Sequence, residues 1–210
     1  MSTVSSPRGL TVSGQKGMQT RTVMPGDCGR RTSSVMPCPL SAEDRIIAMD
    51  TLLRLTKKYN GRINAMAGPL AEARAWLEME EARLEGKSSM PNRGSLTGCG
   101  CYREHLAVRA DGVITPCTIL SHIELGRINR DDLGEIWRNH DALNTLRQRH
   151  QIPLSGFSFC ESCPYVKYCT GSCPGLSFSL VGEVNHPSPD SCLRKYLAEG
   201  GRLPDRALLC

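Results

Sequence analysis

Eight cysteines between positions 99 and 192 are the residues of this 210-residue chain whose type and spacing could do chemistry. Thiolates are soft ligands that suit zinc and iron. The densest part holds four cysteines within 14 residues, and a glycine there allows the backbone to bend around a metal. The eight, in chain order, are Cys99, Cys101, Cys117, Cys160, Cys163, Cys169, Cys173 and Cys192. Their spacing predicts metal binding.

The spacing favours iron–sulfur chemistry over zinc and leaves both open. Structural zinc sites often take four cysteines as two well-separated pairs. Here the pair Cys160 and Cys163 is followed after only five residues by Cys169 and then Cys173. Such closely spaced runs are typical of iron–sulfur clusters. A set of buried or disulfide-bonded cysteines is the least favoured alternative, because such cysteines do not gather around glycines in this way.

Composition and charge indicate in which compartment the protein lies and which classes of partner it lacks. No run approaches the roughly 18 apolar residues of a membrane helix, and no apolar secretory segment opens the chain. We therefore expect a cytoplasmic protein without a membrane partner, in which disulfides are rare. The net charge is +5, but residues 1–40 carry five basic residues and one acid, and no aromatic residue. Nucleic-acid binding is not expected from a basic tail without interleaved aromatics.

The elements ahead of the cysteines divide into two segments. Half of residues 1–40 are Ser, Gly, Thr or Pro without periodicity, which predicts a disordered or non-homologous tail. Residues 41–85 predict a partial α/β segment of helix, strand and helix. A capping box at Ser41 begins the first helix, residues 62–67 are the expected short strand, and Gly68-Pro69 begins the second helix.

The cysteines themselves are expected in a small α+β domain. Residues 86–98 are interpreted as a linker, residues 99–192 as the cysteine-rich domain, and residues 193–210 as a C-terminal tail. Asp111-Gly112 between two short alternating runs predicts a β-hairpin. Apolar residues at helical spacing from Leu133 to Leu146 predict a helix broken near Asn139. The domain would thus be a β-hairpin plus helices around its metal.

The complete cysteine pattern resembles the SPASM domain. This domain is the C-terminal extension of radical S-adenosylmethionine (radical SAM) enzymes that modify peptides and proteins. The likeness runs from Cys99 to Cys192, includes all seven motif cysteines, and extends to the Asp111-Gly112 turn before Pro116-Cys117 and to Leu133-Gly-Glu-Ile136-Trp137. Residues 41–85 resemble the end of a radical SAM barrel. Within the family, the SynChlorMet-cassette maturases of ribosomally made peptides are the nearest likeness.

The resemblance implies two auxiliary [4Fe-4S] clusters. Cys160, Cys163, Cys169 and Cys192 would hold one. Cys117 and Cys173 would hold the other, together with Cys99, Cys101 or both, and one coordination site could stay open for substrate. The substrate implied is a precursor peptide or protein.

One departure from the family limits the expected activity. The sequence has no CxxxCxxC motif for the cluster that cleaves S-adenosylmethionine, since only Cys28 and Cys38 precede Cys99. We therefore predict no catalytic residues and no S-adenosylmethionine site in this chain, and radical chemistry only if a separate radical SAM core chain supplies them. The chain would be a truncated or split maturase. The alternatives are a zinc-binding protein-interaction module and a remnant that does not fold.

Other residues receive weaker predictions. Tyr165 and Tyr168, beside Cys163 and Cys169, are expected to shield a cluster from water or simply to pack. The histidines, among them His122 and His186 within the cysteine domain, are more often surface or satisfied core residues than ligands. Cys28, Cys38 and Cys210 are expected to be unligated.

Overall fold

Helices dominate residues 40–208, the part of the chain that this computed structural model describes. The α-helices are α1 (Ala42–Lys58), α2 (Gly68–Leu84), α3 (Cys101–Glu104), α4 (Leu133–Asn139), α5 (Asp141–Arg147), α6 (Pro174–Val181) and α7 (Leu193–Ala198). The strands are β1 (Ala107–Val108), β2 (Val113–Thr115) and β3 (Gly126–Arg127). Short 3-10 helices cover Gln148–Gln151, Leu154–Gly156, Ser158–Cys160, Val166–Tyr168 and Arg206–Leu208. The architecture is α+β, as predicted. The tail at residues 1–39, with Cys28 and Cys38, and Cys210 lie outside the described residues.

The α1–α2 pair begins and ends where the sequence signals lie. Ser41 caps α1 by accepting a hydrogen bond from the Asp44 backbone N–H at 3.1 Å. After α1 the chain turns through Asn60 and Gly61, both with positive φ. The expected strand at 62–67 is wrong, because these residues form a connection with no neighbouring strand to pair with. The segment is therefore a helical hairpin, with no α/β unit in it.

The β-hairpin is confirmed and gains a third strand. Gly112 has a φ of +83°, as the tight Asp-Gly turn requires. β1 and β2 pair antiparallel with Ala107 opposite Thr115, and β3 adds antiparallel to β2. The broken helix is confirmed as α4 and α5, which meet at His140.

Two apolar cores form within the described residues. The hairpin core joins α1 and α2 to the C-terminal part of the chain, and the sheet core lies between the β-sheet, α3, α4 and α5. The buried hairpin core comprises Met49, Leu53, Leu70, Ala73, Trp76, Met79, Ala82, Tyr165, Tyr168, Leu193 and Tyr196. The buried sheet core comprises Cys101, Tyr102, Ile114, Leu120, Leu125, Ile136, Leu143 and Leu146.

The predicted linker ends in an ordered segment between the cysteine loops. The Gly94 N–H donates to the Cys169 carbonyl oxygen at 2.8 Å, and the Leu96 N–H donates to the Ile152 carbonyl oxygen at 3.0 Å. The N–H groups of Thr97 and Gly98 both donate to the Thr170 carbonyl oxygen. Leu96 itself is fully buried. These bonds tie residues 94–98 to the cysteine-rich loop.

No helix in the described part of the chain has the length and apolar character needed to cross a membrane.

Candidate metal centres

The structure groups Cys99, Cys101, Cys117 and Cys173, hereafter the first cysteine set. The Cys101 thiol interacts with the thiols of Cys99 and Cys117, and the Cys99 thiol interacts with that of Cys173. They come from four places in the chain: the turn before α3, the start of α3, the loop after β2 and the residue before α6. Cys101 and Cys117 pack with the sheet core. The β-hairpin thus brings Cys117 back to the Cys99–Cys101 turn.

Cys160, Cys163, Cys169 and Cys192 form a second cysteine set. All four line one cavity of about 420 Å³, counted with its opening to solvent. Met79 and Tyr165 line the same cavity, and Cys163 and Cys169 pack against the hairpin core. The cavity therefore lies where α2 meets the cysteine-rich loop.

In the first set both Cys99 and Cys101 neighbour Cys117. None of the eight cysteines is in a disulfide. Among residues 40–208, no three Cys, His, Asp or Glu side chains have the arrangement of ligands around a single metal ion. The ligand roles of the eight remain predictions, but their chemistry and their division into four and four fit two polynuclear iron–sulfur clusters.

Left-handed backbone is concentrated at these cysteines. Six non-glycine residues of the described chain have positive φ, and three are Cys99 itself, Ser162 before Cys163, and Ser172 before Cys173. Each such conformation costs of order 1–3 kcal/mol and persists where the surroundings impose it. Gly171, with a φ of +68°, lies in the same loop. Strained backbone thus occurs at, or directly before, cysteines of both sets.

Gly98 and Gly171 permit close approach between segments. A Cβ on Gly98 would lie 2.5 Å from the Ser172 carbonyl oxygen. A Cβ on Gly171 would overlap the Leu96 side chain and lie 3.0 Å from Leu154 Cδ2. Both glycines are thus required where the 94–98 segment crosses the loop that connects the two sets.

Backbone N–H groups point at sulfur in both sets. The Leu120 N–H donates to Cys117 Sγ at 3.4 Å, and the Gly171 N–H donates to Cys169 Sγ at 3.3 Å. Cys173 directly precedes α6 and Cys192 directly precedes α7. Such N–H groups favour thiolate over thiol, and hydrogen bonds to sulfur tune a bound cluster.

The thiols of the two sets differ in their pKa values. In the first set, hydrogen bonding from the Cys101 thiol lowers the pKa of Cys117 to about 6. Hydrogen bonding with Cys101 also lowers the pKa of Cys99. The same two interactions raise the pKa of Cys101. In the second set, burial raises the pKa of Cys160 to about 12 and raises the pKa values of Cys169 and Cys192. Interactions between neighbouring thiols thus dominate the pKa shifts of Cys99, Cys101 and Cys117, whereas burial dominates those of Cys160, Cys169 and Cys192.

A buried ion network positions Cys192. Arg45 of α1 donates to Glu72 Oε2 at 3.0 Å, to Asp190 Oδ1 at 2.9 Å and to the Asp190 carbonyl oxygen at 2.9 Å. The Ser191 hydroxyl donates to Glu72 Oε1 at 2.8 Å. Burial raises the pKa of Glu72, although Arg45 and Ser191 oppose that effect. Helices α1 and α2 thus hold the two residues that immediately precede Cys192.

Three residues of the described chain have buried side-chain polar atoms without a hydrogen-bond partner. The Oγ of Ser188 lines the second-set cavity, the Oδ1 of Asn185 lies in the loop after α6, and all three guanidinium nitrogens of Arg149 are unpaired. Orphaned buried polar atoms in a native structure call for a partner. The sequence carried no signal for these groups or for Arg45, since burial depends on neighbours distant along the chain.

The two tyrosines and two histidines singled out in the sequence make hydrogen bonds or ring contacts with other residues. The Tyr165 hydroxyl donates to Glu80 Oε2 at 2.9 Å, and the Tyr168 hydroxyl donates to the Lys87 carbonyl oxygen at 2.6 Å, so both tyrosines pack α2 against the second-set loop. His122 stacks on Phe178 at 4.0 Å, and His186 lies edge-on to Phe157 at 5.5 Å. These positions fit packing for all four.

Comparison with known families supports the metal chemistry. Residues 99–164 match the sequence model of the SPASM family, an iron–sulfur cluster-binding domain. The match covers about a third of the chain, contains five of the eight cysteines and ends before Cys169. No curated protein and no solved structure matches the chain. Residues 99–164 are thus similar to an iron–sulfur cluster-binding domain.

Proposed function

We propose that this chain binds two [4Fe-4S] clusters and serves as the auxiliary-cluster part of a radical SAM enzyme that modifies a ribosomally made peptide or protein. The observation that carries the proposal is the division of eight thiols into two sets of four within a region that overlaps the SPASM match. Four thiolates are the usual ligand complement of a [4Fe-4S] cluster. S-adenosylmethionine chemistry would come from a radical SAM core chain, and the cytoplasm would be the compartment.

The residues of the two sets would have different tasks. A [4Fe-4S] cluster supplies one-electron transfer when bound. Cys160, Cys163, Cys169 and Cys192 line one cavity together with Met79 and Tyr165, and all four are partly buried. Cys99, by contrast, is exposed. An exposed ligand is a position that a substrate peptide or an electron-donating partner can approach, so the first set would face the partner and the second set would be the sheltered one.

The test is an anaerobic preparation of the full chain with analysis of iron, acid-labile sulfide and zinc. We expect about eight iron and about eight sulfide per chain and a brown colour with a broad visible band, as two [4Fe-4S] clusters require. The Cys117→Ser/Cys163→Ser double variant is the matched control, because it removes one thiol from each set and should lose most of the iron. A colourless, folded protein with stoichiometric zinc would instead establish the zinc-binding module and end the proposal.

A further inference from the structure

Arg149 is a fully buried cation whose donors are unused. Its side chain is 0% exposed, and its Nε, Nη1 and Nη2 atoms have no hydrogen-bond partner. Arg147, two residues earlier, shows the usual pattern: its nitrogens donate to the Tyr102 carbonyl at 3.1 Å, Asn144 Oδ1 at 2.9 Å and the Trp137 carbonyl at 2.5 Å. An unpaired buried charge is costly enough that native proteins pair it or neutralise it. Arg149 therefore requires an anion that the polypeptide does not provide.

The surroundings of Arg149 indicate where that anion lies. Burial lowers the pKa of Arg149, and this effect is opposed first by the neighbouring Tyr102 phenol, through charge and a side-chain interaction that falls short of hydrogen-bond geometry, and then by the charges of Cys173 and Cys101. Tyr102 follows Cys101 in α3, and burial raises the pKa of its phenol, so this neighbour is uncharged at neutral pH. No carboxylate forms an ion pair with Arg149 within the described residues. The neighbours of Arg149 that can carry negative charge are therefore the sulfur atoms of Cys101 and Cys173 in the first set.

The cation beside the second set differs from Arg149 because its donors are used. Arg194 lines the second-set cavity, and its charge opposes the raised pKa values of Cys160 and Cys192. It donates to the Glu161 carbonyl at 2.8 Å and to the Phe159 carbonyl, and the orphaned group in that cavity is the neutral hydroxyl of Ser188. The two sets thus differ in whether the neighbouring cation has unused hydrogen-bond donors.

Resting on the proposed function, we infer that Arg149 donates hydrogen bonds to the sulfur atoms of the cluster held by the first set and raises the reduction potential of that cluster. Net charge and hydrogen bonds to sulfur are two of the levers by which a protein sets such potentials. Reduction adds one negative charge, and a neighbouring fixed cation stabilises the reduced form more than the oxidised form. Arg149 is a positioning and tuning residue, since it acts on the ligands and touches no substrate.

The experiment is a redox titration of the anaerobically loaded full chain, followed by electron paramagnetic resonance. Four proteins are compared: wild type, Arg149→Met, Arg149→Lys, and Arg206→Met as a matched loss of one surface arginine. Arg206 pairs with Glu81 and is 69% exposed, so it controls for net charge. Cys117→Ser assigns the two couples, because it removes a ligand of the first set only. Iron content is measured on every sample.

We expect Arg149→Met to move only the first-set couple to lower potential, by at least a tenfold change in its oxidised-to-reduced ratio at fixed potential, equivalent to 59 mV for one electron. Arg149→Lys should recover most of that shift, and Arg206→Met should leave both couples in place. If Arg149→Met fails to hold the first cluster, retention by Arg149→Lys would support the role of charge. Equal behaviour of the Met and Lys variants, or an unmoved couple at full iron content, would overturn the inference. Wild-type protein without iron would instead refute the proposed function.

Discussion

The two cysteine sets contain the same ligand type but are positioned by different parts of the chain. The first set depends on a local device, the β-hairpin, which returns Cys117 to Cys99 and Cys101 over a stretch of 19 residues. The second set depends on distant parts of the chain, because α1 and α2 hold the loop before Cys192 through Arg45 and Glu72. Each set has its own apolar core and its own tryptophan, Trp76 beside the second and Trp137 beside the first.

The comparison indicates that one domain can separate a sheltered site from an accessible one. In the second set, Cys163 and Cys169 pack against the hairpin core, and burial raises the pKa values of Cys160, Cys169 and Cys192. The first set contains the exposed Cys99, and the charge of the buried Arg149 acts on its cysteines. The short loop from Cys169 to Cys173 joins the two sets and contains strained backbone. Substitutions should therefore affect one set, the other, or the loop that joins them.

Removing one ligand gives the largest expected effect. Cys163→Ala should halve the bound iron and sulfide and loosen the hairpin core, whereas Cys117→Ala should lose the other half and spare that core. Iron analysis checks the first statement, and the fluorescence of Trp76 in a Trp137→Phe background checks the second. Loss of all iron from both variants would show that the sets fold as one unit and would break the comparison.

Arg45→Met tests the support that α1 gives to the second set. The substitution leaves Glu72 and Asp190 without their cation, which should lower the free energy of unfolding by about 3 kcal/mol and release iron from the second set first. Denaturant unfolding and iron analysis measure the two effects. The surface variant Arg206→Met is the control, with an expected change within about 1 kcal/mol. A release of first-set iron alone would contradict the positioning of Cys192 by α1.

Gly171→Ala should affect both sets, because Gly171 lies between Cys169 and Cys173. Its new Cβ would overlap Leu96 and would also force a positive φ on alanine, so we expect a loss of about 2–4 kcal/mol in unfolding free energy. Gly182→Ala is the matched control: its φ is +79° but nothing lies within 4 Å of the added Cβ. Equal losses in thermal or denaturant unfolding would assign the whole effect to the backbone conformation.

Ser162→Gly has the smallest expected effect on stability and tests whether the left-handed backbone at this position is strained. Ser162 has a φ of +55°, so glycine should relieve a left-handed conformation and stabilise the loaded protein by less than about 1 kcal/mol after the added chain entropy is counted. Ser158→Gly, at a position without positive φ, should be destabilising. Denaturant midpoints measured at equal iron content test both expectations. A loss of stability in Ser162→Gly would show that the Ser162 hydroxyl stabilises the loaded protein.

Local signals predicted much of the secondary structure. The Ser41 cap, the Asp111-Gly112 turn and the break near Asn139 are encoded by neighbouring residues, so they were readable in the sequence. The strand at 62–67 was wrong because a strand needs a partner, and the pattern of one segment does not show whether a partner exists. The ordering of residues 94–98 has the same origin, since their hydrogen bonds go to residues 152 and 169–170.

The cysteine spacing by itself determined the class of chemistry, because soft sulfur ligands at short intervals suit few other tasks. The tertiary structure alone decided that Cys99 and Cys101 lie together beside Cys117 and Cys173, that Arg45 reaches the loop before Cys192, and that Arg149 is buried without a partner. Residue type and spacing are local properties of the chain. Burial and charge pairing depend on segments far apart in sequence, which meet only when the cores pack.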